Sequence, residues 1–263
     1  MAPSLRTGAT EPPRRRGGVV LMMTLVVISG AIAIGAFVWK GDLAVHKVTA
    51  EGNRIVATES LVRLAAVPRN LPLGELDLAA VRKRVLQSPY IREATVHRDF
   101  PDRVLIRVEE RVPVAALVAD KLLYVDEEGV ILPGVQSESV FDLPVITGAQ
   151  RVQECRAGKR IVHPTLLEAL HVVLAADRMG GALRRRISEI HLQGNGELLL
   201  YTAEYGVPVH FGRGSIVDKL TLLESFWTTV VNSQGGQALR AVDVRFADQV
   251  VARWEPTTET ITN

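Results

Sequence analysis

From Val19 to Trp39 the chain reads VVLMMTLVVISGAIAIGAFVW, a run of 21 residues without a charge. At about 1.5 Å per residue, a helix of this length reaches about 30 Å, the thickness of a bilayer's hydrocarbon core. Arg14, Arg15 and Arg16 precede the run, Trp39 closes it and Lys40 follows, the last two as interface residues. The excess of basic residues before the run puts the N-terminus in the cytoplasm and everything after Lys40 outside it. A cleavable signal peptide competes with this reading, because Ala31-Ile32-Ala33 has small residues at both specificity positions. Cleavage there would leave Ile34–Trp39 as an apolar new terminus without a use, so an uncleaved anchor over 19–39 is expected. Residues 1–18, rich in Pro, Gly, Ser, Thr and Arg, read as a short disordered cytoplasmic tail.

Beyond the anchor, a small α/β unit is expected over 45–112. VHKVTAEGN alternates as a strand and ends in the turn pair Gly52-Asn53. Thr58 is placed to cap a helix bearing Leu61, Val62, Leu64 and Ala65, and Asp77 to cap a second bearing Leu78, Val81 and Val85. IREATVHRDFPDRVLIRVEERVPVA then alternates, turns at Pro101-Asp102 and alternates again. Ala94, Val96, Val104, Ile106 and Val108 share one face, while Glu93, Thr95, His97, Leu105, Arg107 and Glu109 share the other. Two short amphipathic helices can cover only one face of such a sheet, so the charged face stays wet.

From Pro113 to about residue 255 many short strands follow. ISEIHLQGNGELLLYT is a hairpin candidate, and GVPVHF and AVDVRFADQVVARW alternate as strands. Two helices interrupt them. One lies near Pro164–Met179 and ends at Gly180-Gly181; the other follows a capping-box pattern from Ser215 to Asp218. The fold class is therefore α+β, with a β-rich second domain over 113–255 and a loose tail over 256–263.

Chemistry is sparse. A net charge of +2 spread along the chain does not point to nucleic acid. The single cysteine, Cys155, excludes an intrachain disulfide, and the six histidines form no HxxxH or HExxH spacing. Gly212-Arg213-Gly214-Ser215 opens a helix and could offer amides to an anion, although a simple helix start explains it as well. Arg184-Arg185-Arg186 reads as a solvated strand edge, and Glu109-Glu110 alternate across a strand and cannot share a proton. No catalytic or metal residue and no cofactor is expected.

The segments VTAEGN, SPYIREATVHRDFPDRVLIRVEERVPVA, YVDEEGVIL, LPVITG and LRAVDVRFADQVVARW, taken in order, resemble the bacterial cell-division family FtsQ (DivIB in other lineages). The likeness is carried by Gly52, Asn53, Arg98, Pro101, Glu110, Arg111 and Pro113 among others, and runs over roughly residues 14–254. It implies a β-α-α-β-β POTRA domain before the β domain and a non-enzymatic scaffold that binds FtsB and FtsL and helps control the septal synthases. It also implies that FtsB adds a strand to the last strand of the β domain, which here is Arg245, Phe246 and Asp248 through Val250 to Trp254. A different class of function, a POTRA-type module that binds polypeptides in envelope transport or assembly, remains the alternative. By period, Phe246 joins Val242 and Val244 on the core face, and only a bulge near 247–249 would turn it outward. Both placements stand at this level. Trp254 is the better interface candidate, since tryptophan is enriched among binding hot spots.

Overall fold

The computed structural model describes residues 16–41, 44–134, 141–152 and 155–255. Arg14, Arg15, the rest of the expected N-terminal tail to residue 15, and the expected tail over 256–263 lie outside these residues. The first element is helix α1 (Arg16–Gly41). Its described side chains include Val20 through Gly35, all exposed, whereas only the backbone is described at Arg16, Trp39 and Lys40. Counting only the residues whose side chains are described, which in α1 are Gly18 and Val20–Gly35, no helix is long and apolar enough to cross a membrane.

The small unit has the expected order: β1 (Lys47–Glu51), α2 (Thr58–Ala65), α3 (Leu78–Val85), β2 (Ile91–Asp99) and β3 (Arg103–Glu110). Its sheet runs β1-β3-β2, with β1 parallel and β2 antiparallel to β3. Period two decides the faces. Ala94, Val96, Val104, Ile106 and Val108 are buried against Leu61, Ala65, Val81 and Val85, and Glu93, Thr95, His97, Arg107 and Glu109 are exposed. Each such Val, Leu or Ile contributes roughly 1.5–3 kcal/mol through burial. Asp77 caps α3 as expected, accepting a hydrogen bond from the Ala80 amide at 3.0 Å. Thr58 does not cap α2. It is already inside the helix, Ala57 holds the cap position, and the Thr58 hydroxyl instead receives the Asn53 amide at 3.1 Å.

Gly52 is held at φ +89°, and a Cβ there would stand 2.1 Å from the Val108 carbonyl oxygen. The obstacle is backbone and cannot swing away. Gly52→Ala is expected to destabilise the chain by about 2 kcal/mol or more, measurable as a lowered urea midpoint with an unchanged slope.

The second unit is built on a nine-stranded sheet in the order β12-β11-β10-β9-β8-β7-β4-β5-β6. In chain order the strands are β4 (Pro113–Val118), β5 (Leu122–Asp126), β6 (Ile131–Pro133), β7 (Val145–Thr147), β8 (Ile187–Leu192), β9 (Leu198–Thr202), β10 (Pro208–Gly212), β11 (Leu239–Asp243) and β12 (Val251–Trp254). Helices α4 (Pro164–Arg178), α5 (Ala182–Arg186) and α6 (Ile216–Phe226) contribute to its core, where Leu166, Leu170, Leu220 and Leu223 meet Ile146, Ile190, Leu200 and Phe211. A π-turn at Trp227–Val231 and the short α7 (Asn232–Gln234) lead into β11.

Expectations at two helix ends fail, one through the backbone conformation of the cap residue and one through partners distant in sequence. Ser215 sits in the left-handed region at φ +47° and makes no side-chain cap. The Glu168 carboxylate, from α4, accepts the Gly214 amide at 2.5 Å and fills the place where an external anion would bind. Arg186 is not a solvated edge residue. Its side chain is only 13% exposed, and its guanidinium lies 5.2 Å from the Trp227 ring centre, near Glu204 and Glu224.

The two units meet through neighbouring residues that reach in opposite directions. The Glu110 carboxylate accepts the amides of Arg54, Ile55 and Val56 at 2.8, 2.7 and 2.8 Å, which closes the loop after β1. Arg111 donates to Asp126 at 2.6 Å and to Glu128 at 3.2 Å, in the turn between β5 and β6. Arg92 and Arg160 reach the same Glu128 from either side at 2.8 and 2.6 Å. Tyr90 packs with Val130 and Leu132, and its hydroxyl donates to the Pro133 carbonyl at 2.7 Å. Burial pushes the Tyr90 phenol pKa up, so it remains a donor. Pro113, the last of the motif residues, is buried as the first residue of β4, a position that asks no ladder amide of proline.

Candidate partner-binding edge

A long sheet has two ends, and here they are treated differently. At β6 the outer edge is covered: Ile131 donates to Lys159 and accepts from Gly158, and Val130 bridges Arg160. At β12 only the inner edge is paired, with β11, in the register Ala241↔Arg253, Val242↔Ala252 and Asp243↔Val251. The Glu255 amide donates inward to Ala238 at 2.8 Å. Antiparallel alternation then turns Val251 and Arg253 toward β11, and the amides and carbonyls of Ala252 and Trp254 toward the open side. Among the described residues nothing pairs with that side, and unpaired edge groups are a template for another strand.

The segment joining β11 to β12 decides what flanks this edge. Val244 is buried, and its amide donates to the His210 carbonyl at 3.1 Å, carrying the pairing one step past β11. The chain then turns at 246–248, with Asp248 at φ +58°. The alternation that would have carried Phe246 into the core is broken, and Phe246 is 47% exposed. Phe246 is therefore a surface residue. Val250 and Trp254 return to the core face as half-buried side chains packed against the main cluster, so Trp254 presents only part of its ring.

Arg245 is fixed from one side. Its own amide and its guanidinium donate to the Asp243 carboxylate at 2.7 to 3.2 Å, with Glu197 a further 3.6 Å partner. The side-chain bond from Arg245 holds the Asp243 pKa below its ordinary 3.8, and the carboxylate in turn holds the guanidinium's pKa up. Because the folded value is depressed, the contribution of this pair is present above 3.8 and is lost as pH falls through the folded value. The turn should thus loosen in acid, below pH 3.8. Asp243→Asn should remove that acid step, which NMR titration of the Asp243 carboxyl and the Arg245 amide would detect.

Beneath the turn, Lys219 of α6 is buried and donates to the carbonyls of Phe211 and Arg213 at 2.9 and 2.6 Å. Desolvation lowers its pKa from the ordinary lysine value. Gly212 has φ +71°, and a Cβ there would meet Cγ of Arg245 at 2.9 Å, so glycine leaves room for the aliphatic stem of Arg245 to cross. A groove of about 380 Å³ lies between α6 and the turn, lined by Asp218, Thr221, Leu222, Arg245, Phe246 and Asp248 among others.

Arg245, Phe246 and Asp248 thus come together at the groove, while Val250 and Trp254 anchor the strand beside it. The α6 residues Asp218, Thr221 and Leu222 were not foreseen. Their exposed or half-exposed positions follow from the helical period, but no local signal says that the 246–248 turn packs beside them. Elsewhere, the Thr147 hydroxyl contacts His191 Nδ1 at 2.8 Å, in the manner of a nucleophile and its base. Its proton is donated to Glu189 at 2.5 Å, which leaves His191 to act as donor, the reverse of a base. Among the described residues no group of three or more His, Cys, Asp or Glu side chains could hold a metal.

Comparison with known proteins agrees with this architecture. Residues 43–111 match the FtsQ-type POTRA domain, and residues 112–253 match the C-terminal-related region of FtsQ/DivIB. The chain is 31% identical over 206 residues to the cell division protein FtsQ of Syntrophotalea carbinolica, covering 77% of this chain and 72% of that one. It is 33% identical over 227 residues to FtsQ of Rhodothermus marinus, covering 84% and 81%. With FtsQ of Salinibacter ruber it shares 28% identity over 242 residues, covering 88% and 91%. A POTRA domain followed by a β-rich domain, matched in this order over most of the chain, makes it a member of the FtsQ/DivIB family of bacterial cell-division proteins.

Proposed function

We propose that the chain is a non-enzymatic divisome scaffold, anchored once in the cytoplasmic membrane at the septum, that binds FtsB- and FtsL-like partners and helps control septal peptidoglycan synthesis. In this reading residues 19–39 of α1 span the bilayer, residues 1–18 lie in the cytoplasm, and the units at 45–112 and 113–255 stand outside it. The α1 backbone is helical for 26 residues, about 39 Å, and its uncharged run alone matches the hydrocarbon core. Arg14, Arg15 and Arg16 orient it, and Trp39 and Lys40 sit at the outer interface.

The observation that carries the binding role is the unpaired outer edge of β12 beside the outward-turned Phe246. An incoming strand would satisfy the Ala252 and Trp254 backbone groups, and Phe246 and the groove next to α6 would receive its side chains. Isothermal titration of the purified chain with a synthetic peptide from the extracytoplasmic part of FtsB tests the reading. Binding that resists salt and is weakened at least about tenfold by Phe246→Ala is expected. Absence of binding by the unaltered chain would overturn it. In cells, depletion should give long filaments without completed septa.

A further inference from the structure

We propose that the pole of the POTRA domain carrying the Phe100-Pro101 turn contacts the bilayer, with Phe100 seated in the interfacial layer of the membrane that holds α1. This deepens the anchor reading above and rests on it. Only five residues, 42–46, separate the end of α1 from β1, and fully extended they span no more than about 20 Å. The parallel register Lys47↔Arg103 sets the start of β1 level with the start of β3, and hence with the hairpin turn. The turn is bonded there: the amides of His46 and Lys47 both donate to the Asp102 carbonyl, at 2.9 and 3.3 Å. The loop before α3 is tied to the same strand start, through Val45 to Leu71 and the Ala44–Pro72 bridge. The β2–β3 turn and this loop therefore form the pole nearest the anchor.

One exposed aromatic residue means little by itself. Phe100, however, is 68% exposed at the point of the POTRA domain with the shortest tether to the membrane, flanked by exposed Pro101 and, on the loop, Pro68 and Arg69. Val96 and Val104 fill the core beneath it, so the fold makes no use of the ring. The charges over the strand starts, the turn and the loop cancel: Lys47, Arg69, Arg98 and Arg103 stand against Glu75, Asp77, Asp99 and Asp102, four positive and four negative, so no net charge at this pole repels a lipid surface. Aromatic rings settle at headgroup depth, and a pole without net charge sets no electrostatic barrier against anionic lipid.

The test uses the full chain with Cys155→Ala, labelled with an environment-sensitive dye at Phe100→Cys or, as control, at the exposed Val162→Cys of the β domain. It is reconstituted in phosphatidylethanolamine–phosphatidylglycerol vesicles containing nitroxide-labelled lipid. Flotation with the vesicles reports the anchor independently. Flotation with emission quenched about twofold at position 100 and unchanged at 162 is the expected result. Flotation without quenching at 100, or with equal quenching at both positions, overturns the proposed contact and leaves the anchor standing. Failure to float overturns the anchor reading and the tip with it.

Discussion

Ala252→Pro is expected to weaken binding of an added strand by about 100-fold or more while leaving the fold of the chain in place. The Ala252 amide faces the open side of β12, so its loss removes no bond to β11. An incoming strand loses a donor and meets a pyrrolidine ring where it needs close approach. A side-chain substitution cannot make this distinction. Phe246→Ala removes contact area but leaves the edge able to pair, so its effect should be smaller. Titration of the same FtsB peptide against both variants ranks them. If Ala252→Pro binds like the unaltered chain, with unchanged thermal unfolding, strand addition at β12 is wrong and the groove beside α6 becomes the site by itself.

Arg111→Ala is expected to destabilise the chain by about 3 kcal/mol. The Arg111 side chain is 15% exposed and Asp126 only 4%, so removing the guanidinium leaves a carboxylate in place with nowhere to go. The amides of Glu128 and Val130 still donate to Asp126, which keeps the loss from being larger. The joint also has an acid dependence. The side-chain bond from Arg111 holds the Glu128 pKa below its ordinary 4.5. Its contribution is present above 4.5 and lost as pH falls through the lowered folded value. Urea unfolding of the unaltered chain and Arg111→Ala at pH 7 and pH 3 checks both statements: the gap between them should narrow in acid.

The small unit was legible because its information is local. A period of two over 91–110 separates buried from exposed residues, and Asp77 announces its helix from three residues away. The second unit hides its decisive features in distant pairings. Phe246 reads as core on its own strand. It is turned outward because the pairing ends at Val244, bonded to His210 thirty-four residues earlier, and the chain then turns over 246–248, where Asp248 takes a left-handed conformation without being glycine. The cap expected at Ser215 fails because that residue takes a left-handed backbone, and of the basic run at 184–186 it is Arg186 that is drawn in by Trp227 and two glutamates. Of the candidate edge, the strand itself was readable from alternation. That it is an open end of the sheet was not, since strand order is set by the parallel pairing of β10 with β11 and of β7 with both β4 and β8.

Among the described residues the sheet is covered at β6 and free at β12, which gives it a valence of one. A strand donor can join each chain once, and raising its concentration adds no second copy through this sheet. Two chains meeting through the same edge would form a closed pair with nothing left to extend it. If a donor strand adds at β12 as proposed, its ratio to this chain is capped by topology rather than by affinity. Under the proposed function, any larger array would have to grow from other surfaces, or from the donor's side.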